Sequence, residues 1–362
     1  MIKLLIILIC IFLLIFIFIK TYKPFGSLPS KKDIFNYSKR SNNLKKSKFK
    51  NINKFKVMSK GIDTYKDRKI NKGVKPKDEL PFKMYEYIKQ KNNDILITWF
   101  GHSSILIGMN NMNILIDPIF DKRSSPFSFL GPKRYSKIPV QIDKLPNIDI
   151  LIITHNHYDH LSYKTTKLLD KKVGRYIVPL GVDADLEKFR IDKPKIKNMA
   201  WWEETNINGL KIACLPAKHF SGRFIVDSNK TLWASFIIQN NNFTIFDSGD
   251  TGYDNHFKKI QKKYGKIDLA ILDGAQYNEK WHNAHMFPEE TVKAAIDLQA
   301  NITMLNHFGA FVLSNNSWDE AIDRFVRRAK EEKIEYVTPI LGETFYIKDY
   351  KQHQKEWWKK IK

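Results

Sequence analysis

Cysteine is nearly absent. The 362 residues contain two, Cys10 inside an apolar run and Cys214 in a strand-like run, too few for a disulfide framework, and they leave the redox compartment open. Acidic side chains are also scarce, 38 against 61 Lys and Arg, for a formal charge of +23. Such a surplus ordinarily points to nucleic acid or an anionic membrane surface. Here Lys, Ile and Asn are spread through loops and helices alike, and no aromatic and basic residues interleave beside the candidate site. No nucleic-acid partner is therefore expected.

Residues 4–19 are sixteen unbroken apolar residues between Lys3 and Lys20. At about 1.5 Å per residue the run is slightly shorter than a ~30 Å hydrocarbon core, a gap that snorkelling lysines and local thinning close. No small-x-small cleavage site follows, which favours a transmembrane helix over a signal peptide. Lysines 20, 23, 31 and 32 outweigh Lys3, so a single-pass anchor with a cytoplasmic catalytic domain is expected. Residues 31–60 then carry eleven Lys or Arg and one acid, Asp33. Near anionic lipid each charge contributes about 1 kcal/mol, so an anionic membrane surface is an expected partner. The expected layout is an anchor at 1–20, a basic juxtamembrane segment at 21–80, a catalytic domain at 81–350 and a basic tail at 351–362.

Histidine, too, is sparse. Ten occur in the chain, yet three fall within the six positions 155–160. They directly follow the β-branched run at 150–153, so His155, His157, Asp159 and His160 are expected on a loop at the C-terminal end of a buried strand. His155 and His157 can converge on one ion, and Asp159 with His160 on a second. Three further apolar runs end in the same residue types: 210–215 leads to His219, 243–246 to Asp250 and 302–305 to His307. In mixed α/β sheets ligands gather at such strand ends. Short strands are also expected at 95–100, 104–107 and 113–117, and helices at 162–169, 288–298 and 318–329, with core-facing apolar stripes in the last two.

These residues resemble the metallo-β-lactamase superfamily through the His-x-His-x-Asp-His pattern of His155, His157, Asp159 and His160. Within it the likeness is to N-acylphosphatidylethanolamine-hydrolysing phospholipase D and its bacterial relatives. It is carried by WFGHSSILI at 99–107, IDPIF at 116–120, LGPKRY at 130–135, THNHYDHL at 154–161, WWEE at 201–204 and GDTGY at 249–253. The resemblance covers roughly residues 94–348 and implies a four-layer αββα sandwich, here with an N-terminal transmembrane helix. It also implies His155, His157 and His219 on one metal, Asp159, His160 and His307 on a second, and Asp250 bridging them. Asp159, Asp250 and His285 are the candidate catalytic groups. Phe308, Ala310 and Phe220 depart from the pattern of better-known members, which bears on specificity and leaves the metal set intact.

Imidazoles and carboxylates without cysteine suit two Zn2+, with Fe or Mn acceptable. Two divalent ions roughly 3.5–4 Å apart can share and activate a water, which points to hydrolysis. The expected activity is a phospholipase D-like phosphodiesterase acting on a membrane lipid of the N-acylphosphatidylethanolamine type. The alternative is a lactonase-type hydrolase of a soluble sugar phosphate. His285 is expected to transfer a proton or contact the head group, His102 to pack or support a ligand, and Asp117 to hold the metal loop. Asp247 is expected to be structural, and His256, His282 and His353 to lie on the surface. The oligomeric state is left open.

Overall fold

A computed structural model describes residues 2–57, 73–91, 94–224 and 226–361. Helix α1 (Ile2–Thr21) has no buried residue. Helix α2 (Lys31–Arg40) follows, opened by a capping box between Ser30 and Asp33, and then a short hairpin, β1 (Leu44–Lys45) and β2 (Lys48–Phe49). The body consists of two seven-stranded sheets.

The first sheet contains β3 (Leu96–Trp99), β4 (Ile105–Met109), β5 (Met112–Ile116), β6 (Ile148–Ile152), β7 (Val173–Pro179) and β8 (Ile196–Met199). The second contains β9 (Glu204–Ile207), β10 (Leu210–Leu215), β11 (Ser235–Gln239), β12 (Thr244–Asp247), β13 (Leu269–Asp273), β14 (Ile302–Asn306) and β15 (Tyr336–Val337). Strand β16 (Thr344–Tyr346) crosses back to pair with β3. In each sheet an antiparallel half adjoins a parallel half, β5 to β8 in the first and β12 to β15 in the second.

Alternation along the strands builds the layers. On the first sheet Ile107, Ile114, Ile150 and Ile152 face inward and meet Ile212, Phe236, Ile245 and Met304 of the second in one core. Their neighbours Leu106, Leu115 and Leu151 face outward, beneath α3 (Tyr163–Leu169) and α4 (Val182–Lys188). Ile237, Phe246 and Leu272 do the same beneath α5 (His256–Tyr264) and α6 (Pro288–Asp297). Helix α7 (Glu320–Glu331) packs on α6 and sends Ile322 and Phe325 into the central core. Strands covered on both faces must be apolar at nearly every position, which is why they read as unbroken runs. The arrangement is the four-layer sandwich expected from the resemblance.

Two peripheral segments are packed more closely than their charge suggests. In the basic stretch after α1, Tyr37 is buried and its hydroxyl donates to Asp183 at 2.7 Å, and Phe49 has no exposed surface. At the other end, the stretch read as a basic tail buries Trp357 and Trp358 in the central core. Each large indole removes enough apolar surface from water to outweigh the pull of the surrounding lysines. Residues 58–72 of the expected juxtamembrane segment lie outside the described residues.

Candidate metal centre

Five loops leave the strand ends and meet at one place. Strand β6 delivers residues 154–160, β10 leads to His219, β12 to Asp250, β13 ends in Asp273 and β14 leads to His307. All seven residues expected as metal ligands lie there. His155, His157, His219 and Asp250 form one group, with one ligand atom from each lying within 4.8 Å of the others. Asp159, His160 and His307 form a second group of the same compactness, joined by His102.

Asp250 belongs to both. Its Oδ2 lies 3.6 Å from the Nε2 atoms of His155 and of His219. Its Oδ1 lies 3.2 Å from His160 Nε2 and 3.3 Å from His307 Nε2. Each oxygen of the one carboxylate therefore faces a different set of imidazoles.

The donor set fits metal. The far nitrogens are committed as hydrogen-bond donors: His155 Nδ1 to the Thr154 hydroxyl at 3.0 Å, His160 Nδ1 to Asp117 at 2.7 Å, and His219 Nδ1 to the Ala284 carbonyl at 3.0 Å. Their Nε2 atoms turn inward, and His155 Nε2 lies 2.8 Å from His157 Nδ1, a separation that a shared proton or a shared cation accounts for. Lone pairs at that distance repel unless a proton or a cation lies among them, and ligands about 2.0–2.1 Å from a tetrahedral ion lie about 3.3 Å apart. Burial pushes His155 and His219 well below the usual imidazole range and His157 down to about 4, which keeps them neutral. Burial works against ionisation of Asp159 and Asp250, but His160 and the other nearby histidines outweigh it and hold both carboxyls well below their usual range.

The surrounding groups hold this geometry. Asp117 accepts from the Thr154 amide at 2.8 Å, from the Thr154 hydroxyl at 2.5 Å and from His160, which ties the loop as expected. His102, fully buried, has Nε2 2.8 Å from Asp159 Oδ2, and its amide donates to the Phe308 carbonyl at 2.6 Å. His102, Asp117 and His307 all have positive φ, 53°, 41° and 70°. Non-glycine residues in that region are strained, and such strain concentrates at functional sites. Asp247 stays outside both groups, its Oδ1 accepting from the Gly249 amide, and burial raises its pKa to about 7.

His285 lies beside the second group, its ring stacked on His307 at 5.1 Å and its Nδ1 2.9 Å from Asp273 Oδ2. Burial disfavours its charge, yet the Asp273 carboxylate raises its pKa to about 9. Asp273 also turns Oδ1 toward His307 Nδ1 at 3.5 Å. Sequence reasoning passed over Asp273, although the run at 269–273 carries the same signal, an apolar strand ending in an acid. Asn51 was missed for a different reason: nothing local marks it, and it reaches the backbone of His219 from the basic stretch after α1.

Two histidines expected at the surface are placed otherwise. His256 is 4 % exposed, its Nε2 3.3 Å from the Thr251 hydroxyl, because it opens α5 on the side facing the sheet. His353 is half-buried, its Nδ1 3.2 Å from Glu343 and its ring over Phe345. His282 is exposed, beside Glu290, as expected.

A cavity of about 230 Å³ opens over the cluster. Its floor is His157, Asp159, Asp250, His285 and His307, and its walls include Val57, Phe220, Trp281 and Leu313.

The beta-lactamase superfamily domain matches residues 112–308. An uncharacterised protein of Mycobacterium tuberculosis is 35% identical over 253 residues, 69% of this chain and 68% of that protein. The mitochondrial N-acyl-phosphatidylethanolamine-hydrolyzing phospholipase D of Saccharomyces cerevisiae is 36% identical over 262 residues, 68% of this chain and 55% of that protein. Among solved structures, a metallo hydrolase from the archaeon Ignicoccus hospitalis superposes with a TM-score of 0.53 at 18% identity, covering 70% of this chain and 98% of the other.

Proposed function

The chain belongs to the metallo-β-lactamase superfamily of metal-dependent hydrolases, and we propose that it is a membrane-anchored, two-metal phosphodiesterase cleaving N-acylphosphatidylethanolamine-type lipids in the manner of a phospholipase D. The observation that carries this reading is the Asp250 carboxylate shared between two groups of imidazoles beneath an apolar-walled cavity. The 36% identity to the yeast phospholipase supports the lipid substrate.

His155, His157, His219 and Asp250 would hold one ion, and Asp159, His160, His307 and Asp250 the other, with Zn2+ matching the nitrogen and oxygen donors and Fe or Mn acceptable. Such ions supply Lewis acidity at the phosphoryl oxygens and a water activated near neutral pH.

The protein's own side chains bind, orient and move protons. Val57, Phe220, Trp281 and Leu313 receive apolar chain and exclude bulk water. Asp159, steadied by His102, and Asp250 hold negative charge beside the attacking water and orient it. As the new P–O bond forms and the bond to the head-group oxygen breaks, His285, fixed through Nδ1 by Asp273, gives a proton from Nε2 to the departing alkoxide. Helix α1, 20 residues long and apolar from Leu4 to Ile19, is the proposed anchor, with the lysines after it favouring a cytoplasmic catalytic domain.

The test is incubation of the purified full-length chain with detergent-dispersed N-acylphosphatidylethanolamine, followed by product identification by mass spectrometry. Phosphatidic acid appearing with an N-acylethanolamine supports the proposal. Turnover of lactones without lipid turnover would replace it with the lactonase reading.

A further inference from the structure

The end of α1 is fastened to the body at two loops, 121–132 and 220–228. The Tyr22 hydroxyl donates to the Pro126 carbonyl at 2.7 Å, and the Tyr22 ring stacks on Phe127 at 5.5 Å. Arg223 donates to the Pro24 carbonyl at 2.8 Å, and Phe25 packs against Phe224 at 5.1 Å. If α1 spans a bilayer, the loop at 121–132 is thereby held at the level where the helix leaves it. On that same loop Phe129 and Leu130 are 77 % and 60 % exposed, an arrangement unfavourable in water and favourable at a lipid surface.

Between the loop and the end of α1 lies a cavity of about 730 Å³, separate from the one over the metal cluster. Lys23, Lys122 and Lys164 line it together with Tyr22, Phe127 and Tyr158. None of the three lysines has an ion-pair partner among the described residues. The one acid in the lining, Asp121, is occupied by the hydroxyls of Ser162 and Thr165. Desolvation and the positive field of Arg190, Lys167 and Lys188 lower the pKa of Lys23, so the charge surplus extends beyond the cavity wall. Ammonium groups around an aromatic-walled space of this size match a phosphate with its glycerol better than a lone ion.

We propose that this cavity is a discrete binding site for the head group of an anionic phospholipid, its phosphate held by Lys23, Lys122 and Lys164 and its acyl chains running beside α1 and Phe129. The site rests on the anchoring reading of α1 but not on the chemistry at the metal cluster, so either can fail alone.

Native mass spectrometry of the full-length chain in detergent tests it, with dioctanoyl phosphatidylglycerol, dioctanoyl phosphatidylcholine and inorganic phosphate as separate probes. The expected result is one phosphatidylglycerol per chain, bound about tenfold more tightly than phosphatidylcholine. Lys23→Gln, Lys122→Gln and Lys164→Gln together should abolish that preference. A control with Lys262, Lys266 and Lys333, exposed elsewhere, changed to Gln should keep it. Equal affinity for the two lipids, equal loss in the control, or inorganic phosphate binding as tightly as phosphatidylglycerol would each overturn the proposal.

Discussion

The carboxamide of Asn51 holds the backbone of His219 from both directions. Its Nδ2 donates to the His219 carbonyl at 2.7 Å, and the His219 amide donates back to Oδ1 at 3.2 Å. A residue from the segment that follows α1 thus helps to aim an imidazole at the cluster. Asn51→Ala is expected to weaken one metal about tenfold and leave the second in place, because supporting hydrogen bonds tune ligand geometry. Competition with a calibrated chelator measures it, and two unchanged affinities would reduce the contact to simple packing.

The pairing of His285 with Asp273 predicts a kinetic effect without metal loss. His285→Ala should lower kcat on the order of a hundredfold while the chain keeps its metal content, and Asp273→Asn should act in the same direction. Steady-state kinetics beside elemental analysis separates the cases. Loss of metal in His285→Ala would make that histidine a ligand.

Sharing of Asp250 between the two groups predicts unequal ligand variants. Asp250→Ala should lose most of both ions, whereas His307→Ala should keep about one per chain. Chelation of the parent protein should lower its thermal midpoint, with recovery on adding zinc. Full metal content in Asp250→Ala would end the two-metal reading.

His256 predicts acid sensitivity. Burial lowers its pKa to about 3 in the fold, against about 6.5 in an unfolded chain. The unfolded state takes up the proton first as pH falls. The stability associated with neutral His256 is therefore present above about 6.5 and declines between 6.5 and 3, by up to about 1.4 kcal/mol per pH unit. His256→Phe should flatten that slope in denaturant titrations run from pH 7 to pH 4. An unchanged slope would show that other groups account for it.

Trp358 is 1 % exposed in the central core. Trp358→Ala should cost about 3–5 kcal/mol by leaving a cavity, read as a lower denaturant midpoint. A change below about 0.5 kcal/mol, typical of a surface site, would mean that this indole does not contribute to the core.

Much of this site was legible because its signals are local. Four apolar runs ending in histidine or aspartate mark strands β6, β10, β12 and β14, and the ligands follow within a few residues. Asp273 shows the limit of that reading: the same signal stood at the end of β13, but an acid that serves histidines from another loop has no short-range mark. His256 shows another, since the polar residues around it describe the exposed side of α5 and say nothing of the side turned inward.

The sequence by itself determined the apolar span, the strand and helix periods, the two-sided burial of the sheets and the chemical types at the strand ends, because these depend on neighbours within a few positions. Only the tertiary structure decided that Asp250 turns one oxygen to each imidazole group, that Asn51 reaches His219, and that Trp357 and Trp358 enter the core. Those contacts join residues tens to hundreds of positions apart. They form where burial of apolar surface offsets the entropy of closing long loops.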